Sequence, residues 1–522
     1  MRTILTHPRR LGLALSVCLA GATALTACGT EESGGDTSAS TSGSETGTAG
    51  EGASPASAEE SHDHEGEESH DHGDDAKAAE PTETAGAQPR IAYTYDGGVQ
   101  VLDATTLEPV GKPLEAEGFV RLNDMGDGRH LALSEGNHWQ VLDLGVWSQP
   151  HGDHSHSYAK DPVRTDIAIE GEHPGHVTFD DGRVLTWADG TGTVKEFTAE
   201  SLLAGVTPKT KDWTAEHAHH GVAVPTHDGG MLVTVGTEDE RNGVMALDAD
   251  GKKLAEYDNC PGVHGEAEVK GGVVFGCENG AVIWDGKRFK PVDGPGDYSR
   301  VGTIKGSAKS PVAFHDLEVQ KDAEFERPEQ VAMTDVRTGT MRTVDLGTSY
   351  WFRSLGRASD GDGLVLGYDG ALHRIDTETG KVTDKLPVIK AWKENEDWQK
   401  PGPALHVMGD TAWVTEPATQ KVHRIDLKAW KVTKSATLEH VPNELNGVDA
   451  EVPEFAVEEG HGDHGHEGHD HEGHDHGEGH DHEGHDHGEG HDHDHEHDHG
   501  EGHDHDHEHD HSEESGHEGH SH

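Results

Sequence analysis

Positive charge is scarce in this chain. Lys and Arg number 41 against 100 Asp and Glu over 522 residues, a formal charge of −59 with His neutral. Phosphate contacts need clustered Lys and Arg, so this balance excludes a nucleic-acid binder. The shortage is uneven: residues 451–522 hold 26 acids and no Lys or Arg, and residues 29–89 hold 16 acids against the single base Lys77. Residues 90–450 keep 58 acids and 37 bases, an ordinary acidity. Hydrophobic residues make up 31% and aromatics 5%, and beyond the N-terminal stretch no segment is apolar enough to span a bilayer. Cysteine (4) and Met (7) are also few, which argues against a dedicated Cu(I) carrier built on soft sulfur ligands.

The first 28 residues combine Arg2, Arg9 and Arg10 with a short apolar stretch, Leu11 to Ala24. That stretch reads as a signal peptide, too short for a membrane-spanning helix. It ends in Leu25-Thr26-Ala27-Cys28, similar to a bacterial lipobox, where cleavage leaves Cys28 to be lipidated. The expected location is the outer face of the cytoplasmic membrane, with the lipid as the only membrane contact. Residues 29–89 then read as a disordered leash rich in Gly, Ser, Thr, Glu and Ala. Setting aside Cys18 and Cys28 leaves Cys260 and Cys277, most simply a disulfide in an exported domain and otherwise a two-thiolate metal site.

From 90 to 450 helical patterns are nearly absent and one unit recurs: an apolar strand that ends in Asp and runs into a turn. Its copies end at Asp103, Asp143, Asp248, Asp285, Asp376 and Asp426, with weaker ones at Phe197 and Asp335. A period of roughly 40–50 residues with several strands per unit predicts a β-propeller. Eight copies favour eight blades, with seven the next choice. Hairpin cues such as Asp127-Gly128, Asp228-Gly229-Gly230 and Asp362-Gly363 lie upstream of the repeat.

What the chain has in excess is histidine: 46 residues, of which 24 lie in 461–522 and 17 in 90–450. In the body, His219 and His220 precede the strand GVAVP, His264 precedes GEAEV, and His176 begins HVTFD. These runs read as the innermost strands of blades, so their histidines should gather at one mouth of the central channel. His406 begins a comparable run, and the connection before His176 carries His151, His154 and His156. His154 and His156 share one side of an extended segment, a two-imidazole grip for Zn²⁺. Asp153 or Glu266 would add a carboxylate or orient an imidazole through its second nitrogen. His373 and His423, inside the Asp-ended strands, read as structural.

The tail from His461 repeats units such as His464-Gly465-His466 and His469-Asp470-His471, and the leash carries His62-Asp63-His64 and His70-Asp71-His72. Such segments lack the apolar residues for a core, and imidazoles interleaved with carboxylates suit Zn²⁺, with Ni²⁺, Co²⁺ or Cu²⁺ as other ions able to bind. Neutral imidazole is the ligand, so binding should weaken as pH falls through about 6.5.

In the stretches HGDHSHSYAKDP (151–162), HPGHVTFDDGRV (173–184), ADGTGTVKEF (188–197), HHGVAVP (219–225) and CPGVHGEAEVKGGVVFGC (260–277) the chain resembles the AztD-type zinc metallochaperones. These are exported partners of zinc ABC transporters. The likeness is specific there and weaker after about residue 300. It implies a β-propeller that binds zinc and passes it to the transporter's solute-binding protein. It carries over His154, His156, His176, His220 and His264, and His62–His72 matches in kind the family's His-rich segment. The lipobox and the long C-terminal His tail depart from that pattern. The expected function is therefore that of a monomeric, lipid-anchored zinc metallochaperone and not an enzyme. The alternatives are a metal buffer or store, a metal-dependent propeller hydrolase, and a scaffold with a structural metal. No nucleophile elbow or catalytic carboxylate pair stands out to support the hydrolase.

Overall fold

The computed structural model describes residues 80–457. Cys28, His62, His64, His70 and His72 lie outside the described residues, as do the tail histidines, including His464, His466, His469 and His471. The structure is nearly all β: among the described residues α-helix is confined to Ala199–Leu203 and Glu454–Val457. No helix there is long and apolar enough to cross a membrane.

The recurring unit of the sequence is the third strand of a four-stranded antiparallel sheet. Strands Gly98–Asp103, His138–Asp143, Thr193–Thr198, Arg241–Leu247, Gly280–Trp284, Gln330–Asp335, Ala371–Asp376 and Lys421–Asp426 each hold that place. The terminal Asp recurs because its carboxylate closes the following turn. Asp103 Oδ1 accepts the amides of Thr105 and Thr106, Asp285 Oδ1 those of Lys287 and Arg288, and Asp376 Oδ1 those of Glu378 and Thr379. These are Asx-type turns, in which a short carboxylate replaces a missing backbone acceptor. Eight such four-stranded sheets are present among the described residues, and they make the expected propeller.

The ring closes with strand Leu445–Val448, which pairs antiparallel with Arg90–Tyr95 and so completes the first sheet from the far end of the chain. Trp413 Nε1 donates to Ala104 O across the same seam at 2.9 Å. Side chains packed between neighbouring sheets form the core. One such layer joins Val222, Val224, Leu232 and Val244 of one sheet to Val273, Phe275 and Val282 of the next.

Innermost strands run along the central channel in one direction. They begin at an upper rim, marked by Arg121, His176 and His264, and end at a lower rim, marked by Asp124, Asp180 and Val269. A cavity of about 1200 Å³ opens at the upper rim, lined by Arg121, His176, His264, Lys305 and His406 among others.

Cys260 and Cys277 form a disulfide that ties the loop before strand His264–Val269 to the end of strand Gly272–Cys277. The bond closes a loop with a sequence separation of 17 residues. Chain-entropy arguments assign a loop of this size ~3 kcal/mol of stability. Cys260→Ser with Cys277→Ser should lower the free energy of unfolding by about that amount, read by chemical denaturation with tryptophan fluorescence.

Candidate metal centre

Three histidines from consecutive sheets meet at the upper rim of the channel. His176 is near the start of strand Pro174–Asp180, His220 is in the loop leading to Ala223–Pro225, and His264 begins His264–Val269. Their ring centroids are 5.2 Å (His176–His220), 5.6 Å (His176–His264) and 5.2 Å (His220–His264) apart. One ligand atom from each lies within 4.8 Å of the other two. The backbone is shaped for this. The pairing of His264–Val269 with Gly272–Cys277 shifts register between His264 and Glu266, at Gly265. Gly265 has φ +72, and a Cβ there would lie 2.4 Å from Gly302 O, so only glycine fits the bulge.

Two of the three imidazoles have a partner that decides which nitrogen is free. His264 Nδ1 donates to Gly302 O at 2.8 Å, which leaves the Nε2 lone pair for a cation. His220 Nδ1 donates to Asp189 Oδ2 at 2.6 Å with the same result. Asp189 sits in the turn after strand Arg183–Ala188, and its other oxygen accepts the Gly221 amide at 3.4 Å. His176 Nδ1 lies 3.8 Å from Glu266 Oε2, a buried oxygen with no hydrogen-bond partner. Glu266 therefore stands behind a histidine of the cluster and is not one of the three clustered ligands. Burial pushes its carboxyl up to about 8, opposed by the Lys305 ammonium.

Burial, followed by the neighbouring His264 and His220 rings, holds His176 well below the usual histidine range. Burial also lowers His264 to about 4, against the pull of its bond to Gly302 O. Both rings are thus neutral, the form that ligates, well into the acid range. Three imidazole ligands leave a fourth tetrahedral position open, the arrangement expected of an exchangeable Zn²⁺ site.

His154 and His156 are elsewhere. They belong to a hairpin, Val146–His151 with His154–Ala159, that joins Thr82–Thr84 in a separate three-stranded sheet. The hairpin leaves the chain after Asp143, and Asp143 pairs with His130 at the lower end of its sheet. The expectation of one mouth for all these histidines is corrected: the insertion follows a third strand, and third strands end at the lower rim. There His154 Nε2 lies 3.2 Å from His156 Nε2 and 3.4 Å from His151 Nδ1. His156 Nδ1 bonds Glu83 Oε1 at 2.6 Å, and His154 Nδ1 bonds Asp153 at 3.2 Å. His151 was not among the expected ligands, yet it pairs directly across the hairpin from His154.

Among the remaining histidines, His219 has both ring nitrogens occupied, by His217 O and Thr234 Oγ1, and is buried structure. His217 is exposed. His406 lines the cavity apart from the three clustered rings, and burial lowers it to about 3. His373 and His423 are buried in third strands, as expected of structural residues. Asp189 is the residue that sequence reasoning missed. It follows a second strand and looks like an ordinary Asp-Gly turn.

No protein-family model matches the chain. It is 25% identical over 351 residues, 66% of its own length and 82% of the relative's, to a protein named "Zinc chaperone AztD" from Citrobacter koseri. The chain resembles AztD. The likeness extends to the fold. A crystal structure of Citrobacter koseri AztD superposes with a TM-score of 0.61 at 21% identity, covering 70% of this chain and 98% of AztD. The apo AztD structure gives a TM-score of 0.60 at 20% identity over 69% and 98% of the two chains. The resemblance to AztD noted in the sequence is thus found in both sequence and fold.

Two outcomes test the centre. Asp189→Asn should weaken the tightest zinc site about 10–100-fold in competition with a chromophoric chelator, because His220 loses the charged partner that orients it. On acidification from pH 7.5, zinc held by ordinary imidazoles should be lost near pH 6.5. The channel site should retain its ion toward pH 5, since protons compete for His176 and His264 only at lower pH. Metal analysis after dialysis at stepped pH reads both populations.

Proposed function

We propose that this chain is an exported zinc metallochaperone. It collects Zn²⁺ with its His-rich segments, holds it at His176, His220 and His264, and delivers it to the solute-binding protein of a zinc ABC transporter. The observation that carries this reading is the three-imidazole cluster at the channel rim, with the second nitrogens of His220 and His264 already engaged. It stands in a chain that resembles a protein named as a zinc chaperone. Three ligands with an open fourth position suit transfer. An incoming donor from the receiving protein can bind before a histidine lets go, so no free ion is released. The lower-rim cluster of His151, His154 and His156 is more exposed and suits first capture.

The leader ending at Cys28 supports an anchored location on the outer face of the cytoplasmic membrane, with the lipid as the only membrane contact. The binding sites, and the absence of any substrate suggested by the sequence, favour a carrier over an enzyme. A metal buffer would hold the same ions without a receiving partner, and kinetics separate the two. Zinc-loaded full chain mixed with a cognate solute-binding protein should hand over its ion at least tenfold faster than a chelator collects spontaneously released zinc. His176→Ala with His220→Ala should abolish that advantage. Equal rates to protein and chelator would leave a buffer, not a chaperone.

A further inference from the structure

The lower rim holds a second constellation that the proposed function does not use. Asp180 ends strand Pro174–Asp180, Glu268 lies near the end of His264–Val269, and His227 occupies the turn after Ala223–Pro225. These are the same three consecutive innermost hairpins that present His176, His220 and His264 at their upper ends. Four residues of strand separate His176 from Asp180 and His264 from Glu268, roughly 13 Å along the channel wall. His227 Nδ1 is 3.0 Å from Asp180 Oδ2 and its Nε2 is 3.2 Å from Glu268 Oε1. One ligand atom from each of the three lies within 4.8 Å of the others.

Stability does not account for this grouping. The His227 side chain is 75% exposed, and exposed ion pairs contribute little. Among the described residues neither carboxylate forms an ion pair with a Lys or Arg; the repulsion between them is opposed by His227, which contacts both, and at Asp180 also by the charge of Arg183. A divalent cation would cancel it, and carboxylate oxygens and imidazole nitrogens are both Zn²⁺ ligands.

The path of the described chain leads to the same rim. Asp181 (φ 46) and Gly182 (φ 71) make a two-residue left-handed turn directly after Asp180. The Phe455 ring packs on Gly182, where an added Cβ would lie 2.8 Å from it. Past Val457 the sequence runs into residues 458–522 with their 24 histidines. The described chain therefore ends two residues past a contact with the turn that follows Asp180, on the rim that also carries His151, His154 and His156.

We propose that Asp180, His227 and Glu268 form a further Zn²⁺ site, on the lower rim and distinct from His151, His154 and His156, placed to receive the ion from the segment that follows Val457. The proposal takes zinc as the cargo, as in the proposed function, but its site is separate. An ion there replaces one of the two His227–carboxylate contacts, and any proton on the ligating ring nitrogen passes to solvent. Being more open to water, the site should fill at higher zinc concentration than the three histidines above.

The test is a zinc titration into crystals of the full chain, with anomalous difference maps on both sides of the zinc edge. A peak between Asp180, His227 and Glu268 is expected, following the peak at His176, His220 and His264. It should vanish in His227→Ala with Glu268→Gln while the upper peak stays. No lower peak when the upper site is full would overturn the inference, as would a lower peak that survives both substitutions. A lower peak with the upper site empty at every concentration would sustain this site and refute the upper one.

Discussion

An imidazole ligates a cation only through a nitrogen without a proton, and in the channel the group opposite decides which nitrogen that is. Gly302 O for His264 and Asp189 for His220 each take the Nδ1 proton, so Nε2 of both rings is available to one ion. Burial then penalises protonation of His176 and His264, which keeps those ligands neutral when solvated histidines have become cations. The proposed capture on exposed imidazoles and retention on buried ones would thus follow from a single residue type placed in two environments.

The propeller makes those environments by giving every blade the same polarity. Each innermost strand starts at one rim and ends at the other, so residues four apart on one strand serve opposite faces. Three successive hairpins accordingly present histidines above and an Asp, a His and a Glu below. Cys260–Cys277 and the Gly265 bulge hold the His264 strand in place, and closure of the ring by Leu445–Val448 brings both ends of the folded body to one sheet.

Much of the fold was legible because its signals are local. The strand-Asp unit repeats since each Asp carboxylate closes its own turn two or three residues on, a bond that needs no distant partner. The position of His176, His220 and His264 was legible too, as each immediately precedes or begins an innermost strand. His154 and His156 were placed at the wrong rim because the direction of the preceding third strand, not their spacing, decides where their hairpin emerges. Asp189 was hidden among many Asp-Gly turns, and nothing in its neighbours indicates that it points at His220. His151 acquires its place only when the hairpin registers it against His154.

The sequence by itself determined the composition of the device: histidine and carboxylate in excess, scarce positive charge, and a β repeat whose turns are closed by short side chains. These depend on residue type and on neighbours a few positions apart. Only the tertiary structure decided which histidines lie within reach of one another, that Asp189 orients His220, and that the histidine clusters divide between two rims. Those outcomes require strands from three sheets to converge and a defined strand direction, and both arise when the ring closes.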